Sequence, residues 1–162
     1  MLHNLSFLEA VHPVKGLDPV ADFGDTNQYS DIVSLRGHEK LVAIIYKGVG
    51  ATGTSTITVE ACDDVSASNV SAVPFRYREY ITANSDLPGA IKTATASGFA
   101  TTAGSSQLYA VEIDAEALVA SGYNFARVKM AEVVNSPVLG GILLLALNPK
   151  FVGAATPASI IS

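Results

Sequence analysis

The segment Thr54-Ser55-Thr56-Ile57-Thr58-Val59-Glu60-Ala61-Cys62 decides the fold class. Its residues alternate: Ile57, Val59 and Ala61 fall on one face, and Thr56, Thr58, Glu60 and Cys62 on the other. A period of two is the signature of a half-buried β-strand, and β-branched side chains suit a pleated backbone better than a helix. The same pattern recurs on both sides. Upstream, Leu41-Val42-Ala43-Ile44-Ile45-Tyr46-Lys47 reads as a second strong strand and residues 32–35 as a shorter one. Downstream, residues 73–81 put Phe75 and Tyr77 on one face and Arg76 and Arg78 on the other. Residues 108–113 group Tyr109, Val111 and Ile113, and residues 124–134 alternate through Ala126, Val128 and Met130. The apolar run at residues 138–147 is ten residues long. A membrane-spanning helix needs about 20, so this run reads as buried core.

Turn residues between these segments leave about seven or eight strands, which predicts an all-β domain, a β-sandwich or jelly-roll-like fold, over residues 29–148. One short helix is expected near residues 114–121, with Asp114 as its N-cap and Gly122 as its stop. Residues 91–106, rich in Ala, Thr, Gly and Ser, read as one weak strand plus a flexible loop. Pro13, Gly16, Asp18, Pro19, Gly24 and Asp25 punctuate residues 1–28, which are read as an extended N-terminal arm. Within that arm Leu5, Leu8 and Val11 have the spacing of a short amphipathic turn. Residues 149–162 are read as a C-terminal tail.

Composition narrows the function classes. At 162 residues the chain suits one domain with a real core. With 49% apolar residues it is no disordered segment. Ten Lys and Arg are scattered against fifteen Asp and Glu, net −5, which argues against a nucleic-acid surface. Charged residues are only 15% of the chain, against roughly 25% in an ordinary soluble protein. Much of the surface is therefore small and neutral, or covered by something else. Cys62 is the single cysteine, so neither an intrachain disulfide nor a multi-thiolate metal site is available. The N-terminal residues lack the basic and apolar pattern of a secretory signal.

Chemistry-bearing motifs are weak. Gly48-Val49-Gly50-Ala51-Thr52-Gly53 matches GxGxxG, but a β-branched, period-two segment follows it where a dinucleotide site needs a helix, so it reads as a hairpin turn. His3, His12 and His38 are not at zinc-site spacing. Asp63-Asp64 lacks the pattern of a calcium loop and reads as a solvated turn. No GxSxG elbow or distinct carboxylate pair is present, so the chain is not expected to be an enzyme, and no metal or cofactor is expected.

Three later segments carry a resemblance. Thr56-Ile57-Thr58-Val59-Glu60-Ala61-Cys62-Asp63, Val73-Pro74-Phe75-Arg76-Tyr77-Arg78, and Glu132-Val133-Val134-Asn135-Ser136-Pro137-Val138-Leu139-Gly140-Gly141-Ile142-Leu143 with Asn148-Pro149-Lys150-Phe151 together resemble small structural proteins from the head-gene clusters of tailed bacteriophages, over roughly residues 25–151. The resemblance implies a virion protein, a capsid decoration (cement) protein on the phage head, often a homotrimer, with the major capsid protein and itself as partners. The charge balance and the short apolar run leave no nucleic-acid or membrane partner expected, and no functional residue set carries over from the resemblance. Contact residues are therefore read from the residues themselves: Leu5, Phe7, Leu8 and Val11 on the arm, and Phe75, Arg76, Arg78 and Tyr80 on the basic and aromatic strand. A head–tail or tail component, or a carbohydrate- or host-binding β-sandwich, is the alternative.

Overall fold

The computed structural model describes residues 6–50 and 52–150. It is an all-β sandwich of two antiparallel sheets. In chain order the elements are α1 (Phe7–Ala10), β1 (Val11–Val20), β2 (Asn27–Tyr29), β3 (Val33–Ser34), β4 (His38–Lys47), β5 (Thr54–Cys62) and β6 (Val70–Val73), followed by β7 (Phe75–Tyr80), β8 (Lys92–Ala94), β9 (Phe99–Ala100), β10 (Gln107–Asp114), α2 (Ala115–Ala120), β11 (Phe125–Val134) and β12 (Gly140–Pro149). Sheet I has the order β1-β12-β4-β10-β7-β8 and sheet II the order β2-β11-β5-β6, with β3 on β11 and β9 on β5.

The alternation that predicted β5 describes its burial as far as Val59; past that point Glu60 and Cys62, on the other face of the strand, are buried too. Ile57, Val59 and Ala61 are fully buried, and they meet Ala126, Val128 and Met130 of the neighbouring β11 on the inner face of sheet II. Sheet I closes the core from the other side with Leu41, Ala43 and Ile45 of β4, Tyr109, Val111 and Ile113 of β10, and Leu144 of β12. Each large aliphatic side chain buried this way stabilises the fold by roughly 1.5–3 kcal/mol. Helix α2 caps one end of the sandwich, with Leu118 fully buried. Its C-terminus is a Schellman motif: the Tyr123 N–H donates to the Leu118 carbonyl, the Gly122 N–H to the Val119 carbonyl, and Gly122 takes φ +86°.

Several expectations need correction. Residues 11–20, read as part of an irregular arm, form a ten-residue edge strand of sheet I paired with β12. Pro13 and Pro19 are tolerated because an edge strand leaves one row of N–H groups unpaired, and two register irregularities absorb the rest. The segment at 73–81 is two strands: β6 belongs to sheet II and β7 to sheet I, and the chain crosses between them at Pro74. Residues 48–53 likewise join β4 of sheet I to β5 of sheet II, so the glycine-rich stretch is a sheet-to-sheet crossover and not a hairpin turn. A Cβ on Gly53 would stand 2.3 Å from the Ser136 carbonyl oxygen, which is why the crossover needs glycine there. Residues 91–106 hold two short strands, not one, and their loop is tied down. Phe99 pairs with Ile57, the Thr101 N–H donates to the Ser55 carbonyl, and the Ser55 N–H donates to Thr101 Oγ1.

Candidate interaction face

Strand register sets out the outer face of sheet I row by row. Residues directly opposite in an antiparallel pair point to the same side. One row runs Gly141–Tyr46–Leu108–Tyr80 across β12, β4, β10 and β7. The next runs Lys15–Leu143–Ile44–Ala110–Arg78, starting on β1. A third runs Pro13–Leu145–Val42–Glu112–Arg76, and a fourth, Val11–Leu147–Lys40–Asp114, spans β1, β12, β4 and β10. The middle of this face is apolar. Tyr46 is 53% exposed and Leu143 46%. Leu139, Leu17 and Pro19 add a rim at one end, and with Ile44, Tyr46, Leu108 and Leu143 they line an open groove of about 740 Å³.

Charges border the apolar centre. Glu112 accepts from Lys40 Nζ at 3.0 Å and from Arg76 Nη2, and Asp114 lies 3.2 Å from Lys40 and 3.6 Å from Arg76. The carboxylates beside Lys40 hold its ammonium pKa above the usual lysine value, the Glu112 hydrogen bond first among the causes. This quartet is half exposed, so it orients side chains more than it stabilises the fold.

A buried cation fixes the loops at the Tyr46 end. Lys47 is 3% exposed, and its Nζ donates to the Thr102 carbonyl at 2.8 Å, the Gly53 carbonyl at 3.1 Å and Gln107 Oε1 at 3.3 Å. Tyr109 Oη donates to the same Gln107 oxygen and accepts the Thr102 N–H, while Gln107 Nε2 donates to the Ala103 carbonyl. All three ammonium protons thus meet oxygen, two of them main-chain, and burial pulls the Lys47 pKa below its ordinary value. The node ties the crossover after β4 to the loop before β10. No sequence motif announces it.

The expected contact residues divide. Leu5 lies outside the described residues. Phe7 and Leu8, on α1, are 61% and 81% exposed. Val11 pairs with Leu147 and is half-buried. Arg76, Arg78 and Tyr80 do share the outer face of sheet I. Phe75 does not: it is 4% exposed and packs in the core beside Tyr77 and Phe99, because Pro74 starts the strand in the register that turns Phe75 inward. Arg76 pairs with Glu112 and Asp114 of its own chain. The residues that sequence reasoning missed are Ile44, Tyr46, Leu139 and Leu143. For Leu143 the signal lies in Gly140–Pro149, which is apolar on both faces, as strands covered on both sides are.

Other candidate chemistry resolves into structure. Asp63 accepts hydrogen bonds from the Asp64 and Asn69 N–H groups and from Asn69 Nδ2, which shapes the turn at 63–69 and holds its carboxyl below the usual range, the Asn69 side chain contributing most. Cys62 is fully buried, and desolvation pushes its thiol up to about 11. Among the described residues no three His, Cys, Asp or Glu side chains converge as a metal site would require, and no helix is long and apolar enough to cross a membrane. Comparison with family models, with curated proteins and with solved structures finds no match.

Proposed function

We propose that this chain is a non-enzymatic structural protein of a virion, a capsid decoration protein that binds the assembled phage head as a homo-oligomer, with the major capsid protein and its own copies as partners. The observation that supports this reading is the outer face of sheet I, where Ile44, Tyr46, Leu108, Leu139 and Leu143 surround an open apolar groove. Exposed apolar patches of this kind mark protein contacts. A face of this sort suits a protein that works through extended surface. Any chain that binds only the assembled shell stabilises it by its differential affinity, and equivalent contacts repeated over a lattice add through multivalency.

Image reconstruction of particles assembled with and without this chain tests the proposal. The expected result is extra density at every equivalent lattice position and a higher disruption temperature for decorated particles. Density at a single vertex would instead assign the chain to the head–tail junction. Absence from the particle would overturn both readings.

A second reading has one observation of its own. Tyr46, Leu108 and Tyr80 are register neighbours, and beside them Asn84, Ser85 and Asp86 complete an opening of about 400 Å³. Aromatic rings beside amide and carboxylate groups suit sugar stacking and hydrogen bonding. Glycan-array binding lost on Tyr80→Ala would establish it, and a blank array would remove it.

A further inference from the structure

We propose that the apolar groove on the outer face of sheet I is filled by helix α1 of a second copy of this chain, so that subunits associate head to tail. This rests on the reading of the chain as a self-associating structural protein and names the contact through which it associates.

Among the described residues the chain carries two unpartnered apolar surfaces of opposite shape. The groove between Leu17, Ile44, Tyr46, Leu139 and Leu143 is concave and open. Helix α1 is convex, a single turn in which no residue is buried and which offers Phe7 and Leu8 to solvent. A helix this short has little stability of its own. It is held by the capping box, in which Glu9 accepts the Ser6 N–H, and by its continuity with β1. A partner groove supplies packing that the described residues of its own chain do not.

The helix cannot reach the groove of its own chain. It runs into Val11, which sits opposite Leu147, whereas the groove surrounds Leu143, four residues back along β12 and about 13 Å away at the rise of a strand. β1 is extended in between, so α1 is held at the wrong end of the sheet.

Charge selects the copy and the orientation. Lys15, Lys40, Arg76 and Arg78 lie on this face against Asp18, Glu112 and Asp114, a balance of +1 in a chain of net −5, which leaves −6 on the remainder. Lys15 stands at the groove edge with no ion pair or hydrogen bond among the described residues, and Arg78 is likewise without one. Packing this face against itself brings the positive edges together. Packing it against another surface of the same molecule joins opposite signs, and α1 brings Glu9 with its two apolar side chains. A contact between two different patches is heterologous, and it closes into a ring when the rotation allows.

The test uses the full chain and sedimentation velocity with native mass spectrometry. Leu8→Asp removes the knob and Leu143→Asp the hole, each at an exposed position, and far-UV circular dichroism checks the fold. Should Leu143→Asp unfold, Tyr46→Asp serves as the hole variant. The wild-type chain is expected to assemble, and each variant alone to be monomeric at matched concentration, with association weakened about 30-fold or more as for a central contact residue. An equimolar mixture of the two variants keeps one good knob and one good hole, so it should form a one-to-one dimer and nothing larger. Assembly of Leu8→Asp as well as wild type would overturn the proposal in favour of face-on-face packing, and a monomeric wild-type chain would overturn it outright. Binding of the same chains to heads is scored separately: a monomer that still decorates particles sinks this contact and leaves the decoration reading standing, and an oligomer that does not decorate does the reverse.

Discussion

The rings of Tyr77 and Phe99 lie parallel, 5° apart in plane with centroids 3.9 Å apart, which sets a residue of sheet I flat against a residue of sheet II. Phe99 also meets Phe75 and Tyr109 at tilted angles, so one ring from a two-residue strand ties together three rings of the opposite sheet. Phe99→Ala is expected to destabilise the fold by about 2–4 kcal/mol, and Phe99→Leu by about half of that. Equilibrium denaturant unfolding measures both. Equal stability of Phe99→Ala and wild type would mean that the stack adds nothing.

Lys47 gives the second prediction. Lys47→Met keeps the volume and removes the charge, relieving a desolvation cost while stripping donors from the Gly53 and Thr102 carbonyls and from Gln107. Loss of donors should win, by about 1–3 kcal/mol. In the wild-type chain the Lys47 pKa is lowered from 10.5, so the native state gives up this proton before the unfolded chain does. Over the window from the lowered value up to 10.5 the unfolded chain binds more protons, and this group makes stability rise with pH. The variant should lose that alkaline contribution, as read from unfolding curves along a pH series.

His38 works at the acid end. It is 4% exposed, its Nδ1 has no hydrogen-bond partner among the described residues, and burial chiefly, with His12 and Lys150 adding, lowers its pKa from 6.5. The unfolded chain therefore takes up this proton first. Stability contributed by neutral His38 is complete above 6.5 and declines as pH falls from there toward the lowered native value. His38→Gln should flatten the unfolding free energy between those limits, and an unchanged slope would assign the acid sensitivity to other groups.

Two glycines with positive φ separate backbone strain from crowding. Gly122 takes φ +86° with nothing within 4 Å of a would-be Cβ, so Gly122→Ala should cost about 1 kcal/mol. Gly98 takes φ +76°, and a Cβ there would stand 1.9 Å from the Ile57 carbonyl oxygen. Gly98→Ala must move β9 off β5, at a cost of about 3 kcal/mol or more. Thermal unfolding of the pair should rank them in that order, and a reversed order would mean that β9 shifts freely.

The strands that sequence patterning located best are those whose two faces have different neighbours. Residues 54–59 and Phe125–Val134 alternate because one side meets the core and the other does not, and the pattern stops being informative only at Glu60 and Cys62, which are buried on the other face of β5. Helix Ala115–Ala120 was legible for the same kind of local reason, since Gly122 sits just past its end. Sheet membership was not legible. Nothing local distinguishes the turn after Lys47 from a hairpin, because the switch of sheet depends on strands far away in the chain. The edge strand Val11–Val20 was hidden by its own prolines, which mark turns in general and are tolerated at an edge in particular. Of the contact face, Arg76, Arg78 and Tyr80 were visible as an exposed stripe, whereas Ile44 and Leu143 were absorbed into the expected core. Alternation reports that a side chain is covered and says nothing of what covers it.

The pairing of β1 with β12 also dictates an order of events at the ribosome. β12 lies between β1 and β4, so the first strand of sheet I has no hydrogen-bonding neighbour until Gly140–Pro149 has been synthesised. Until then β4 and β10 can pair, but the edge of β4 that β12 will occupy stays bare, beside Leu41, Ala43 and Ile45. Contacts this distant in sequence make folding slow and leave the nascent chain dependent on protection from its neighbours. A chain cut short before Gly140 should therefore be caught by chaperones or aggregate, although most of its strands are already present.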